Sequence, residues 1–525
     1  MTPEHTASEM HPSRWGDPAA ATALPEATRG LVELALGVRD TPAASAVTLP
    51  APSIDAAILD DFRRLLGDEH VLTEDDVRRL RTRGKSTPDL LKQRIGDLSD
   101  APDAVVRPGS HDDVQAVIEL AVRHHVALVP FGGGTSVTGG LVARREGFAG
   151  VLSLDLVRMK AAREVDTVSM TAVLEPGLRG PEAEALLAEH GLMLGHYPQS
   201  FQFASIGGFA ATRSSGQSSA GYGRFDSMVV GLTVATPQGT LELGSAPANA
   251  AGPDLRELVL GSEGAFGVIT AVKVRVKKVP AEKVYEAWQF ASFAEGSDAM
   301  RHLAQNGLLP TVLRLSDENE TAINLSSQDN VGGESVGGCL MIVGHEGASI
   351  AGRRALVTEA LTSLGGTPAG EERGRAWAEG RFHAPYLRDS MLDVGVLVET
   401  LETATFWSNR DRLYTAVRDA LSESLGEKSL VLCHISHVYE TGCSLYFTVA
   451  APQADDPLAQ WDLAKQKASQ AMIDAGATIT HHHAVGTDHK PWLAQEIGPV
   501  GVSILRSVKA GLDPSGVLNP GVLIP

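Results

Sequence analysis

Cysteine is scarce: Cys339, Cys433 and Cys443 are the only three in 525 residues. They form no CxxC pair and no disulfide framework, so buried thiols in a reducing compartment are expected. Positive charge is also short, with a formal net charge of −19. That argues against a broad nucleic-acid-binding surface. No apolar run approaches the ~18 residues of a membrane span. The opening Met-Thr-Pro-Glu-His has neither a basic nor an apolar leader region. No secretory signal is therefore expected, and a cytoplasmic protein is. The remaining composition is globular, 43% hydrophobic and 21% charged. The length calls for more than one domain.

What is present begins with Pro130-Phe-Gly-Gly-Gly-Thr-Ser-Val137, which follows an apolar strand expected at 126–129. It is neither a P-loop nor a GxGxxG fingerprint. Its three glycines let backbone approach a ligand closely, and their amides with Thr135 and Ser136 can converge on a pyrophosphate. An ordinary turn is the plainer reading. A second cluster, 199–225, is dense in Gly, Ala, Ser and Thr, with Phe201, Phe203, Phe209, Tyr222 and Phe225 interspersed. It suits backbone wrapped around a flat ligand better than a linker. A third, Gly261-Ser-Glu-Gly-Ala-Phe-Gly-Val-Ile269, is a tight turn opening a strand.

Around these the patterning predicts a helix over 53–82, a loop at 84–88 and a βαβ-like unit over 105–129 with Ser110 as helix cap. Strands are expected at 151–156, 168–175 and within 228–243 and 266–277, with a helix at 181–190. After Pro280 helices near 291–306, 350–364 and 410–424 alternate with strands near 311–315, 339–345, 395–400, 430–438 and 443–450. This reads as a separate α+β domain. A helix at 457–475, a short strand at 477–480 and a helix at 502–512 complete the chain.

The order of the three clusters, an intervening domain and a C-terminal Asn519-Pro-Gly521 resembles the vanillyl-alcohol-oxidase-type FAD-binding proteins. The resemblance implies an α+β fold with a two-part FAD-binding domain and an α+β cap domain over the flavin. The expected divisions are a partly ordered lead-in over 1–50, the main FAD segment over 51–280, the cap over 281–477 and a completing segment over 478–525. The implied FAD-binding residues are Pro130, Phe131, Gly132, Gly133, Gly134, Thr135, Ser136 and Val137 in the first loop. The second loop adds Gln199, Ser200, Phe201, Gln202, Phe203, Ala204, Ser205, Gly207, Gly208, Thr212, Arg213, Ser214 and Ser215. The third adds Glu263, Gly264, Ala265, Phe266, Gly267, Val268 and Ile269. Neither of the first two loops holds a histidine or cysteine, so non-covalent FAD is expected, with His196 the nearest exception.

Within that superfamily the segments 211–216, 310–317, 385–389 and 481–486 resemble the alkyldihydroxyacetonephosphate synthases, as does the pair Tyr446-Phe447. The resemblance implies exchange of the acyl group of acyl-dihydroxyacetone phosphate for a long-chain fatty alcohol through a flavin N5 adduct, with no electron acceptor. It departs at Ala484, Gln199 and 218–221. Tyr446 alternates with core residues of its expected strand, which puts it on the polar face. It is a surface tyrosine, or with the family match a proton donor or acceptor.

His481, His482 and His483 follow a strand. They could belong to a solvated loop, to a metal site that lacks a third ligand, or to a proton-transfer group beside the flavin. The resemblance favours the last, and no metal is expected. Arg388 and Arg314 could meet an anionic substrate group, or pair with Asp389 or Asp393 and with Asp317 respectively. A 2-hydroxy acid dehydrogenase of D-lactate or glycolate type is the alternative, suggested by the Asp513-to-Gly521 ending. Lipid substrates imply transient membrane-surface contact, and the family a homodimer.

Overall fold

A computed structural model describes residues 9–44, 47–142, 144–326 and 337–525. Three parallel strands, Ala104–Val106, Val151–Asp155 and Ala127–Phe131, pair in that order, with Val71–Leu72 antiparallel at the edge. They are buried on both faces, which is why their residues are almost all apolar. Helix His111–His124 connects the first to Ala127–Phe131. The Ser110 hydroxyl accepts the Asp113 amide at 3.1 Å, as a cap should. A five-stranded antiparallel sheet follows, in the order Ala162–Asp166, Thr171–Leu174, Val268–Arg275, Val229–Thr236, Gly239–Leu243.

The later body is one seven-stranded antiparallel sheet. Its order is Thr367–Gly370, Glu282–Phe290, Cys339–Gly347, Val312–Ser316, Leu430–Ile435, Gly442–Pro452, Val396–Phe406. Helices Phe293–Gln305, Ala351–Ser363, Arg410–Leu425 and Pro457–Asp474 share its core, in which Leu313, Leu445, Phe447 and Trp461 are buried. The tail then returns to the first body. The Leu128 amide donates to the Val517 carbonyl and the Asn519 amide to the Leu128 carbonyl, both at 2.8 Å, so the C-terminus extends the parallel sheet.

Several expected elements differ. The helix expected over 53–82 is two, Ala56–Leu66 and Asp75–Leu80, because Gly67 takes φ 94° and turns the chain into strand Val71–Leu72. The loop at 84–88 holds the start of helix Thr87–Ile95. Its Ser86 cap accepts the Asp89 amide at 3.1 Å, and Pro88 sits in the first turn, where a missing N–H costs nothing. Val168 is 93% exposed in the turn between two strands rather than within one. The strand at 477–480 is a single bridge, Ala404 to Thr478. The C-terminal helix begins at Lys490 and breaks at Gly498. Strand Glu282–Phe290 and helices Glu371–Gly380 and Ala384–Asp393 were not expected from the sequence pattern.

Residues 1–8, 45 and 46 of the expected lead-in lie outside the described residues; the stretch from residue 9 straps the two bodies together. Glu9 pairs with Arg81 at 2.7 Å, and Lys85 Nζ donates to the His11 and Pro12 carbonyls at 2.5 and 3.0 Å. Arg14 pairs with Asp393, and the Trp15 amide donates to the Asp389 carboxylate. Trp15 is buried edge-on to Phe203, with ring centroids 5.9 Å apart. Trp15→Ala should therefore cost about 3 kcal/mol, the usual loss for a buried tryptophan. Thermal unfolding and faster proteolysis near residue 15 check this; an unshifted Tm counts against the strap.

Candidate active site

A cavity of about 390 Å³ lies between the two bodies. One side is the first glycine loop, Pro130 to Val137, with Gln199, Ser200, Ala204, Ser205, Gly207, Gly208, Thr212, Ser214, Ser215, Glu263, Gly264, Gly267, Val268 and Ile269. No described residue accepts a hydrogen bond from the amides of Gly133, Gly134, Thr135 or Ser136. Gly134 takes φ 69°, which turns this run across the cavity wall. Unpaired amides on a concave wall suit an anion such as a dinucleotide pyrophosphate. The loop packs too tightly for side chains: a Cβ on Gly133 would stand 2.1 Å from the Phe203 carbonyl oxygen.

Six residues expected at this end do not line the cavity. Phe201 meets Tyr197 edge-on and stacks on Phe382, and Gln202 is exposed. Phe203 packs on Trp15, and Arg213 turns outward to Glu257 and the Leu260 carbonyl. Ala265 and Phe266 are buried in a small core with Val485 and Val522. Glu263 ties the chain's last part to this wall. Its carboxylate accepts the Val485 and Gly486 amides at 3.0 Å, while Asn519 donates to its carbonyl at 2.6 Å. Burial pushes the Glu263 carboxyl up to about 7.

The opposite side carries Tyr446, Arg314, Arg388, His482 and His483. Strand Gly442–Pro452 sends Leu445, Phe447 and Val449 into the core and turns Tyr446 and Thr448 to the cavity. The Tyr446 ring stacks on His434 at 4.7 Å and on His482 at 6.0 Å, and meets His483 edge-on at 5.5 Å. Burial pushes its hydroxyl up to about 12. Arg388 donates to the Lys85 carbonyl at 2.7 Å and to Asp389 at 3.2 Å. Its buried Nη2 has no partner among the described residues. A guanidinium held on one edge and open on the other is built to take an anion.

Arg314 differs. Its Nη2 meets Glu320 at 2.8 Å and His434 Nδ1 at 3.0 Å, so its charge is matched by Glu320 rather than by Asp317. Burial alone would raise the Glu320 carboxyl; His434 and Arg314 outweigh it and hold it at about 2.

The three consecutive histidines are folded around one carboxylate. Glu402, fully buried, accepts the amides of His481, His482 and His483 at 2.7, 3.1 and 2.9 Å and the Thr480 hydroxyl at 2.5 Å. Burial would raise its carboxyl, but the surrounding imidazoles, led by His482, hold it well below the usual range. The four donors act in the same direction. His481, expected at the cavity, stands behind it, with Nδ1 3.0 Å from His482 Nδ1 and Nε2 2.5 Å from the Tyr439 hydroxyl. Burial drives the His481 and His437 imidazoles well below their ordinary range. Ring nitrogens of His437, His481 and His482 lie within 4.8 Å of one another, a set that could also hold a metal ion.

His434, His437, Glu320 and Trp15 line the cavity and Glu402 holds the histidine turn beside it, yet the sequence alone does not single them out. The spacing His434-x-x-His437 was the available signal for two of them; Glu402 on strand Val396–Phe406, Glu320 on helix Glu318–Ser326 and Trp15 in the lead-in left none. His196, the exception noted for covalent FAD, is buried against Phe209 and Phe225, off the cavity.

Residues 102–244 match the family described as FAD binding domain, and residues 279–523 the family described as FAD linked oxidases, C-terminal domain. An alkyldihydroxyacetonephosphate synthase of Trypanosoma brucei brucei is 34% identical, over 91% of this chain and 82% of its own. A solved alkyldihydroxyacetonephosphate synthase structure is 29% identical, with a TM-score of 0.84 over 98% of each chain. A mitochondrial D-lactate dehydrogenase [cytochrome] of Arabidopsis thaliana is 26% identical, over 81% of this chain and 74% of its own. A p-cresol methylhydroxylase structure at 17% identity and TM-score 0.68 shares the fold, over 90% of this chain and 98% of its own.

Proposed function

The chain belongs to the alkyldihydroxyacetonephosphate synthase family of FAD-dependent enzymes, and on that premise we propose how its residues divide the work. The substrates are acyl-dihydroxyacetone phosphate and a long-chain fatty alcohol. The acyl C1–O bond breaks, a C1–O bond to the alcohol forms, and a fatty acid leaves. Nothing is oxidised or reduced overall, so no electron acceptor is consumed. Residues 51–280 and 478–525 form the FAD-binding part and 281–477 the cap. Bound FAD supplies the nitrogen nucleophile that divides one hard substitution into two easier ones.

This chain's residues bind, orient and move protons. The loop amides of 133–136 hold the pyrophosphate. Arg388, through its open Nη2, holds the departing carboxylate or the substrate phosphate. Tyr446 exchanges a proton at C1, and His482 and His483 take the proton of the incoming alcohol. Arg314, matched by Glu320, keeps His434 stacked under Tyr446 and binds substrate only secondarily.

The observation that carries this reading is the meeting of Tyr446, His482, His483 and the free edge of Arg388 on one wall, facing the glycine loop. FAD is held without a covalent bond. Long-chain substrates imply transient contact with a membrane surface, and we also propose a homodimer. No described helix is long and apolar enough to cross a membrane.

Anaerobic incubation with palmitoyl-dihydroxyacetone phosphate and hexadecanol, without electron acceptor, should give the alkyl ether and equimolar fatty acid by mass spectrometry. The flavin should leave the protein on acid precipitation. No ether, together with flavin bleached by a D-2-hydroxy acid, would move the assignment to the dehydrogenases.

A further inference from the structure

The exchange proposed above releases a proton, and a role for the residues behind the cavity rests on that reading. An ester and an alcohol enter; an ether and a fatty acid leave, and at neutral pH the acid leaves as carboxylate and H⁺. The alcohol's proton therefore ends in solvent in every turnover, carried by the departing acid or passed through the protein.

We infer that His482, His481 and Tyr439 form the exit relay for that proton, leading from the cavity wall to the protein's outer side. His482 lines the cavity. Its Nδ1 stands 3.0 Å from His481 Nδ1, a contact in which one nitrogen carries the proton and the other a lone pair. His481 Nε2 stands 2.5 Å from the Tyr439 hydroxyl. Tyr439 is only half-buried, at the start of a turn whose next two residues, Glu440 and Thr441, are exposed. The three groups are joined with no gap longer than a hydrogen bond, and the last of them is followed by exposed residues.

The direction of transfer follows from the atoms. His482 takes the alcohol's proton on one ring nitrogen and passes its Nδ1 proton to His481. His481 gives up its Nε2 proton to the Tyr439 oxygen, and the Tyr439 hydroxyl proton goes to water. No electron moves and no co-reactant is needed.

The other polar groups nearby lead elsewhere. His437, itself at the cavity, turns Nδ1 to Ser215, which also lines the cavity, so that contact leads back inward. Glu402 accepts backbone amides and the Thr480 hydroxyl, and its Oε2 stands 3.4 Å from His482 Nδ1, farther than the 3.0 Å from that nitrogen to His481; it fixes the histidine turn rather than carrying protons outward. Arg224 and Asp226 flank Tyr439, and burial pushes its hydroxyl up to about 12. The hydroxyl therefore stays protonated and passes a proton only by accepting another. His481 and Tyr439 touch no substrate; both act through His482.

The test uses the FAD-loaded full chain and ether formation under saturating substrate. Tyr439→Phe should lower kcat about tenfold or more, since a positioned proton path is worth at least that, with KM for both substrates unchanged. Tyr439→Ala should lose as much and regain activity with added imidazole, a small proton carrier that fits the vacated space. A purely structural role for Tyr439 gives no such rescue. Wild-type kcat in Tyr439→Phe overturns the relay, and so does a loss in Tyr439→Ala that imidazole leaves untouched. A wild-type enzyme that forms no ether overturns the functional reading itself and the relay with it.

Discussion

Tyr446→Phe is expected to lower kcat for ether formation by about 10²–10⁴-fold, the range a positioned acid–base group contributes. The substitution removes one oxygen and keeps the ring. The stacks on His434 and His482 therefore survive, as does the core packing of Leu445 and Phe447 on the strand's other face. Flavin content and Tm should be those of the parent. Burial pushes the Tyr446 hydroxyl up to about 12, so at neutral pH it is protonated and acts first as a donor. The loss should fall on kcat, because no proton-transfer geometry is needed merely to hold the lipid. A Tyr446→Phe enzyme within a few-fold of the parent would remove Tyr446 from the chemistry. His482 and His483, with His434 and His437 on the same wall, would then be the remaining proton-transfer candidates.

Tyr446 also marks how far the sequence could be read. A period of two places it on the polar face of its strand, and it stands there because Leu445, Phe447 and Val449 are in the core. The glycine loop is readable for a similar reason. Only residues without side chains fit where a Cβ on Gly133 would stand 2.1 Å from backbone oxygen. Periodicity does not say which strands lie beside each other. Glu402 is paired directly opposite Tyr446 across Val396–Phe406, yet the chain between them gives no sign of it.

In sequence the three histidines look like one group, because a run of like residues is uniform. The fold separates them, leaving His482 and His483 at the cavity and His481 behind. The lead-in looks loosely held in sequence, since Ala, Pro and Thr carry no periodic pattern. Its order comes from partners far along the chain, Arg81, Lys85, Asp389 and Asp393.

Glu402→Gln should be the most damaging substitution away from the substrate. The carboxylate offers only acceptors, and four donors point at it, the amides of His481, His482 and His483 and the Thr480 hydroxyl. An amide in its place turns one oxygen into a donor, and at least one buried N–H or O–H then faces another donor. Leaving such a group unpaired costs about 1–3 kcal/mol, more where the lost bond was charge-assisted. A stability loss of about 3 kcal/mol is therefore expected.

The same turn carries His482 and His483, and a shift of about 1 Å in a reacting group costs on the order of 10²-fold in rate. In Glu402→Gln, kcat should fall by about that much, although the new amide would touch no substrate.

The pH dependence separates charge from shape. The folded-state carboxyl of Glu402 is held well below its ordinary value of 4.5. Its contribution is thus complete above that value and is lost as pH falls toward the folded-state pKa. His437 and His481, also held below their ordinary value of 6.5, add acid lability from there downward in both proteins. Only the difference between the two proteins reports Glu402. Unfolding curves of parent and Glu402→Gln should be well separated at neutral pH and converge in acid. Curves that stay parallel down to pH ~3, below the ordinary carboxylate range, would mean that the carboxylate's charge is not what holds the three-histidine turn.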